Sequence, residues 1–114
     1  MFEGKQVIPA EWIEQTYQLT DADVKACQNS VFKDASLTCY DDKLSGYKNF
    51  WWIHDSKKKI MMARGIFWQG LYIDKSNNVV IATFASAPSP SNIKRDTWKI
   101  KVHAMHMIAK HLSD

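Results

Sequence analysis

The chain contains no run of about 18 apolar residues, the least that spans a bilayer as a helix, so no membrane crossing is expected. Its opening, MFEGKQVIPAEWI, has neither the apolar stretch nor the small-residue cleavage site of a signal peptide, which leaves the compartment open. Two cysteines, Cys27 and Cys39, are too few for a disulfide framework, and two free thiols are the default reading. Charge of one sign is also scarce. A net charge of +3 allows acidic partners without requiring them. No internal repeat, domain boundary or cofactor motif stands out.

What is present is a folded chain. At 114 residues it fits one domain, and 46% apolar residues with five Trp argue against disorder. Pro9–Tyr17 opens with Pro and an acidic first turn, as a helix amino terminus does, and Trp12, Ile13 and Tyr17 give it an apolar face. Thr20 is placed to cap a second short helix running to Gln28. Asn29 to Gly46 is mostly polar without a steady period and predicts a long loop. Four strands follow: Lys48–His54, Ile60–Ala63, Phe67–Asp74 and Val79–Ala85. Their connections are short, including the turns 55–59 and 75–78, which favours antiparallel pairing. Pro88 to Ser91 ends the sheet. Ser91 or Asn92 then caps a last helix to about Leu112, with an apolar stripe of Ile93, Trp98, Val102, Met105, Ala109 and Leu112. The expected fold is α+β: an antiparallel sheet of about four strands, flanked by helices from both ends of the chain.

Several chemical motifs fail on context. His103 and His106 share a helix face, but no Cys or acid stands close enough to complete a metal site, so His103, His106 and His111 read as solvated or stripe-edge histidines. Lys57 to Lys59 beside Phe50-Trp-Trp52 has the composition of a single-strand nucleic-acid surface. A lysine triplet in a turn is more often a solvated tip, and nucleic acid is not an expected partner. Ser-x-x-Lys, the activated-serine pattern of penicillin-recognising hydrolases, begins at Ser30, Ser45, Ser56 and Ser91. With nine serines and 13 lysines, about one match arises by chance. None of the four has a nucleophile at the buried amino end of a helix. Tyr47-Lys-Asn49, a Tyr-x-Asn match, lies at the start of a strand. All are rejected as catalytic.

Taken together, Gly4–Ile13, Gly46–Trp52, Ala63-Arg-Gly-Ile66, Gln69 with Leu71–Asp74, and Asn78–Ile81 form an ordered set. This order resembles the carboxy-terminal part of the beta-lactamase-related serine hydrolases, especially the group containing 6-aminohexanoate-dimer hydrolase. The resemblance implies a single partial domain whose Ser-x-x-Lys and Tyr-x-Asn elements lie in upstream polypeptide. It implies a small amide or ester substrate for the complete enzyme only, and no cofactor. It also places Arg64, Gly65 and Ile66 where related enzymes carry Lys-Thr-Gly. By carry-over, the Ile66 N–H would be an oxyanion-hole donor, Gly65 would allow close backbone approach and Arg64 would flank the substrate.

Two further expectations follow. The family's Gly and bulky residue around the Gln are exchanged here for Trp68 and Gly70, which on one strand would share a face. Lacking upstream strands, the chain should expose apolar sheet, and its partner is either the missing amino-terminal part or another copy of itself. The alternative reading is a non-catalytic binding module using Phe50-Trp-Trp52. Ile60–Met62 and Leu71–Ile73 are expected to line the core.

Overall fold

The computed structural model describes residues 2–29, 45–88 and 96–114, with the side chains of residues 96–99 outside that description. Helix α1 is Ala10–Tyr17 and helix α2 is Asp21–Gln28. Strands β1 (Gly46–Lys48), β2 (Trp51–Asp55), β3 (Ile60–Arg64), β4 (Gly70–Asp74) and β5 (Val79–Thr83) follow, and helix α3 (Asp96–Ser113) closes the chain. The strands form one antiparallel sheet in sequence order.

Five strands therefore replace the expected four. Lys48 to His54 is not one strand but the two arms of a hairpin. Lys48 pairs with Trp51, and Asn49 and Phe50 between them both have positive φ, 50° and 69°. That is the backbone of a type I′ turn, whose twist matches the flanking strands. Asn tolerates this left-handed conformation, whereas Phe does not favour it. The Asn49 amide donates to Thr16 Oγ1 at 3.0 Å, which fastens the turn to α1. Asn49 of Tyr47-Lys-Asn49 thus has a structural use.

Two cores sit on opposite faces of the sheet. Strand alternation sends Met61 and Ile53 to one face, where they bury against Tyr17 and Leu19. It sends Ile60, Met62 and Tyr72 to the other, against Met105 and Ala109 of α3. The middle of the predicted α3 stripe is thus buried, but Leu112 is exposed. Its proposed caps, Ser91 and Asn92, fall outside the described residues. Trp12 is 39% exposed, while Thr16 is fully buried in the packed face of α1.

Local chemistry explains the remaining joints. Thr20 caps α2 in a reciprocal box with Asp23, as its position predicted. Cys27 is disulfide-bonded, against the expectation of free thiols; Cys39 lies outside the described residues. A covalent link of this kind restricts the unfolded chain. Asp74 is fully buried at the β4–β5 turn. Burial alone would raise its pKa, but donors from Ser76 Oγ at 2.7 Å and Asn77 N–H at 2.9 Å outweigh it and hold the carboxyl below its usual range.

Glu14 ties α1 to the sheet, accepting from Lys59 Nζ at 2.6 Å and Lys75 Nζ at 2.5 Å. Among the described residues, no helix is long and apolar enough to cross a membrane.

Candidate functional site

The three residues singled out by the sequence sit together at the end of β3. Arg64 is its last residue, paired with Gly70 of β4, and five residues connect the two strands. The Arg64 guanidinium lies over the Trp52 ring, 4.7 Å from its centre, and Trp52 meets Tyr47 edge to face at 4.9 Å. Cation, indole and phenol thus form a ladder across β3, β2 and β1.

Gly65 leaves the strand in extended conformation and donates its N–H to the Gln69 carbonyl at 2.9 Å. Ile66 begins a 3-10 turn over Ile66–Trp68 rather than continuing the strand. The lack of a Cβ at Gly65 makes room inside the connection itself, since an added Cβ would lie 3.0 Å from the Gln69 Cβ. The expected backbone approach is therefore made first by Gln69.

Two consecutive bulky residues in this connection, Phe67 and Trp68, hold positive φ of 56° and 67°. A left-handed residue other than glycine costs roughly 1–2 kcal/mol, so the surroundings must over-determine the shape. They do so from three sides. The Gln69 side chain donates to the Ala85 carbonyl and accepts from the Ala85 N–H at 3.2 Å. The same amide donates to the Phe67 carbonyl at 3.2 Å. Lys101 of α3 donates to the Trp68 carbonyl, and burial of its ammonium lowers its pKa. Ile66 is left 67% exposed on a connection that is otherwise held down.

The Trp68–Gly70 exchange resolves differently from its expectation. Trp68 lies in the turn and not on β4, so strand alternation does not relate the two residues. Its ring nevertheless packs on the α3-facing core, where its indole N–H has no hydrogen-bond acceptor among the described residues. Gly70 keeps that core open: a Cβ there would lie 2.7 Å from the Met62 methyl carbon.

The clamp formed by Gln69 and Lys101 was not foreseen from the sequence. Its one visible sign is an uncharged Gln within an apolar and aromatic run. Of the rejected serines, Ser45 is buried at the start of β1 and Ser56 lies in the β2–β3 turn, while Ser30 and Ser91 fall outside the described residues. Among the described residues, no group of three or more His, Cys, Asp or Glu is arranged to hold a metal ion.

Compared with family models, curated proteins and solved structures, the chain matches none.

Proposed function

We propose that this chain is the carboxy-terminal sheet segment of a serine hydrolase acting on amides or esters, inactive alone because its nucleophile belongs to other polypeptide. The observation that carries the reading is that, among the described residues, no strand pairs with the outer edge of β5. This strand is last in the sheet and holds no charge or proline; Val80 within it and Phe84 just beyond it are 64% and 90% exposed. Free strand edges are normally short, charged, bulged or covered. This one is suited to receiving further strands from upstream sequence, as the resemblance implies.

The pinned β3–β4 connection then serves as one wall of the substrate cleft. Arg64 flanks it, and the Ile66 N–H is the main-chain donor to the developing oxyanion. A donor fixed before reaction contributes about 3–4 kcal/mol in a complete active site, and nothing without a nucleophile.

The aromatic-module alternative draws less support, because its three side chains diverge. Trp51 packs on the α1-facing core, Trp52 lies under Arg64, and Phe50 alone is fully outward.

The test is labelling of the purified chain with a fluorophosphonate probe and turnover of a p-nitrophenyl ester. Neither is expected from the chain alone, whereas both should appear on co-expression with polypeptide carrying Ser-x-x-Lys and Tyr-x-Asn. Ester turnover by the isolated chain, abolished by substituting one of its own serines, would overturn the proposal.

A further inference from the structure

Helix α3 has two unlike sides. Its inner side closes a cleft over the sheet, beside a bulge in the strand pairing. Ile53 pairs with Met61 but Asp55 pairs with Ile60, so β2 holds one extra residue, His54, which lines the cleft. Asp55 there, and the ionised Asp74 beside His106, offset Lys58, so the cleft selects a ligand of neither charge. The outer side of the helix is the more informative.

Ile100, Ala104, Met107 and His111 recur at four, three and four residues, the spacing of a coiled-coil seam. All four are exposed, and they lie across the helix from Val102, Met105 and Ala109, which pack towards the sheet. Ile108 and Leu112 widen the seam along one edge. The four large apolar side chains of this set, Ile100, Met107, Ile108 and Leu112, are 48–68% exposed. A surface helix keeps one apolar stripe and turns charged or polar residues outward. This helix has two stripes, and the second calls for a cover.

We infer that a second copy of this chain covers it, by antiparallel pairing of the two α3 helices about a two-fold axis. Ala104 then packs on the partner's Met107 and Ile100 on the partner's His111, each contact occurring twice. Parallel pairing would instead set Ala104 on its own counterpart and leave a gap mid-seam. At the exposures given, the six side chains leave on the order of 500 Å2 uncovered on each copy, which together reaches the roughly 1,000 Å2 at which specific interfaces begin. Charge fits the same arrangement. The seam holds no lysine or acid, and Lys101 is turned to the Trp68 carbonyl. Asp114 comes to the amino-terminal end of the partner's helix, where negative charge is favoured. His103, on the remaining edge, stands near the partner's Lys110, so no two lysines oppose each other. The inference is independent of the hydrolase reading, since it uses neither the β5 edge nor the β3–β4 connection.

Sedimentation equilibrium of the full chain tests this. A monomer–dimer equilibrium is expected, with a Kd on the order of 10 μM for so small an interface, followed from about 1 μM to 1 mM. Ala104→Glu changes an exposed helix position, so the monomer keeps its fold, yet it puts a carboxylate into the apolar seam. Association should weaken at least ~100-fold. His103→Glu should tighten it about fivefold through two ion pairs with Lys110 per dimer, and added salt should cancel that gain. Val80→Lys, on β5, should leave association unchanged, because the sheet edge takes no part. A monomer at every concentration, growth beyond the dimer, full association of Ala104→Glu, no tightening by His103→Glu, or loss of association in Val80→Lys would overturn the proposal.

Discussion

The β1–β2 and β3–β4 connections each place two consecutive non-glycine residues in the left-handed region, yet for different reasons. At Asn49-Phe50 the turn itself demands it, because two residues joining adjacent antiparallel strands close best with both φ values positive. At Phe67-Trp68 five residues connect the strands, and closure alone makes no such demand. There the conformation is imposed from outside, by Gln69 reaching to Ala85 and by Lys101 reaching from α3. Strain required by geometry belongs to the fold. Strain held in place by distant groups is what a site with a task is expected to carry, and this is why the second connection supports the functional reading.

The comparison is broken most directly at its strongest anchor. Gln69→Ala removes both bonds to Ala85 and leaves a backbone N–H and carbonyl to find water. A loss of about 2–3 kcal/mol is expected in chemical denaturation, with faster amide exchange concentrated in residues 65–69. Asn49→Ala should stay below that, because the two-residue turn still dictates the backbone. Equal losses from the two substitutions would erase the distinction.

A smaller effect of opposite sign is expected at Phe50→Gly. The side chain is 88% exposed and packs on nothing that would be missed, while glycine accepts a φ of 69° freely. Relief of the left-handed cost, reduced by the extra freedom of glycine when unfolded, should raise stability by up to ~1 kcal/mol in thermal unfolding. Phe67→Gly should gain less, since Phe67 is only 37% exposed and loses contacts.

The smallest effect sharpens the contrast through pH. Hydrogen bonds from Lys59 and then Lys75 lower the Glu14 pKa to about 2. A carboxyl depressed in the folded state stabilises fully above its unfolded value and loses that contribution as pH falls through the folded one. The window therefore runs from pH 4.5 down to about 2. Within it α1 should loosen, and with it the Thr16 anchor of Asn49, while the uncharged Gln69 clamp persists. Glu14→Gln should flatten the acid limb of the stability profile, and added salt should shrink the difference because the pair is exposed.

How much of this was legible depends on the range of the interaction. The four main strand regions, the Lys75–Asn78 turn and the Thr20 cap are written in neighbouring residues, and all were readable. β1 was missed because Gly46-Tyr-Lys48 has a single apolar residue and its turn uses Asn-Phe rather than the usual Asn-Gly. Phe67 and Trp68 looked like strand because both are β-formers, and nothing local announces a left-handed pair. The bond from Gln69 to Ala85 crosses 16 residues, and that from Lys101 to Trp68 crosses 33. Contacts of that span leave no periodic trace. The position of Arg64, Gly65 and Ile66 at a strand end was legible, but the anchoring around them was not.

The unequal pairing of β2 and β3 bears on how this hairpin tolerates change. Because the arrangement depends on a count of residues and not on their identity, substitution at His54 alters chemistry while preserving geometry. Deleting that residue would do the reverse: the ladder would become regular, Asp55 would keep its pairing with Ile60 directly after the Ile53–Met61 pair, and the arrangement facing α3 would lose one contributor outright. Length variation here is therefore a coarser lever than point substitution, and the one that sculpts the surface.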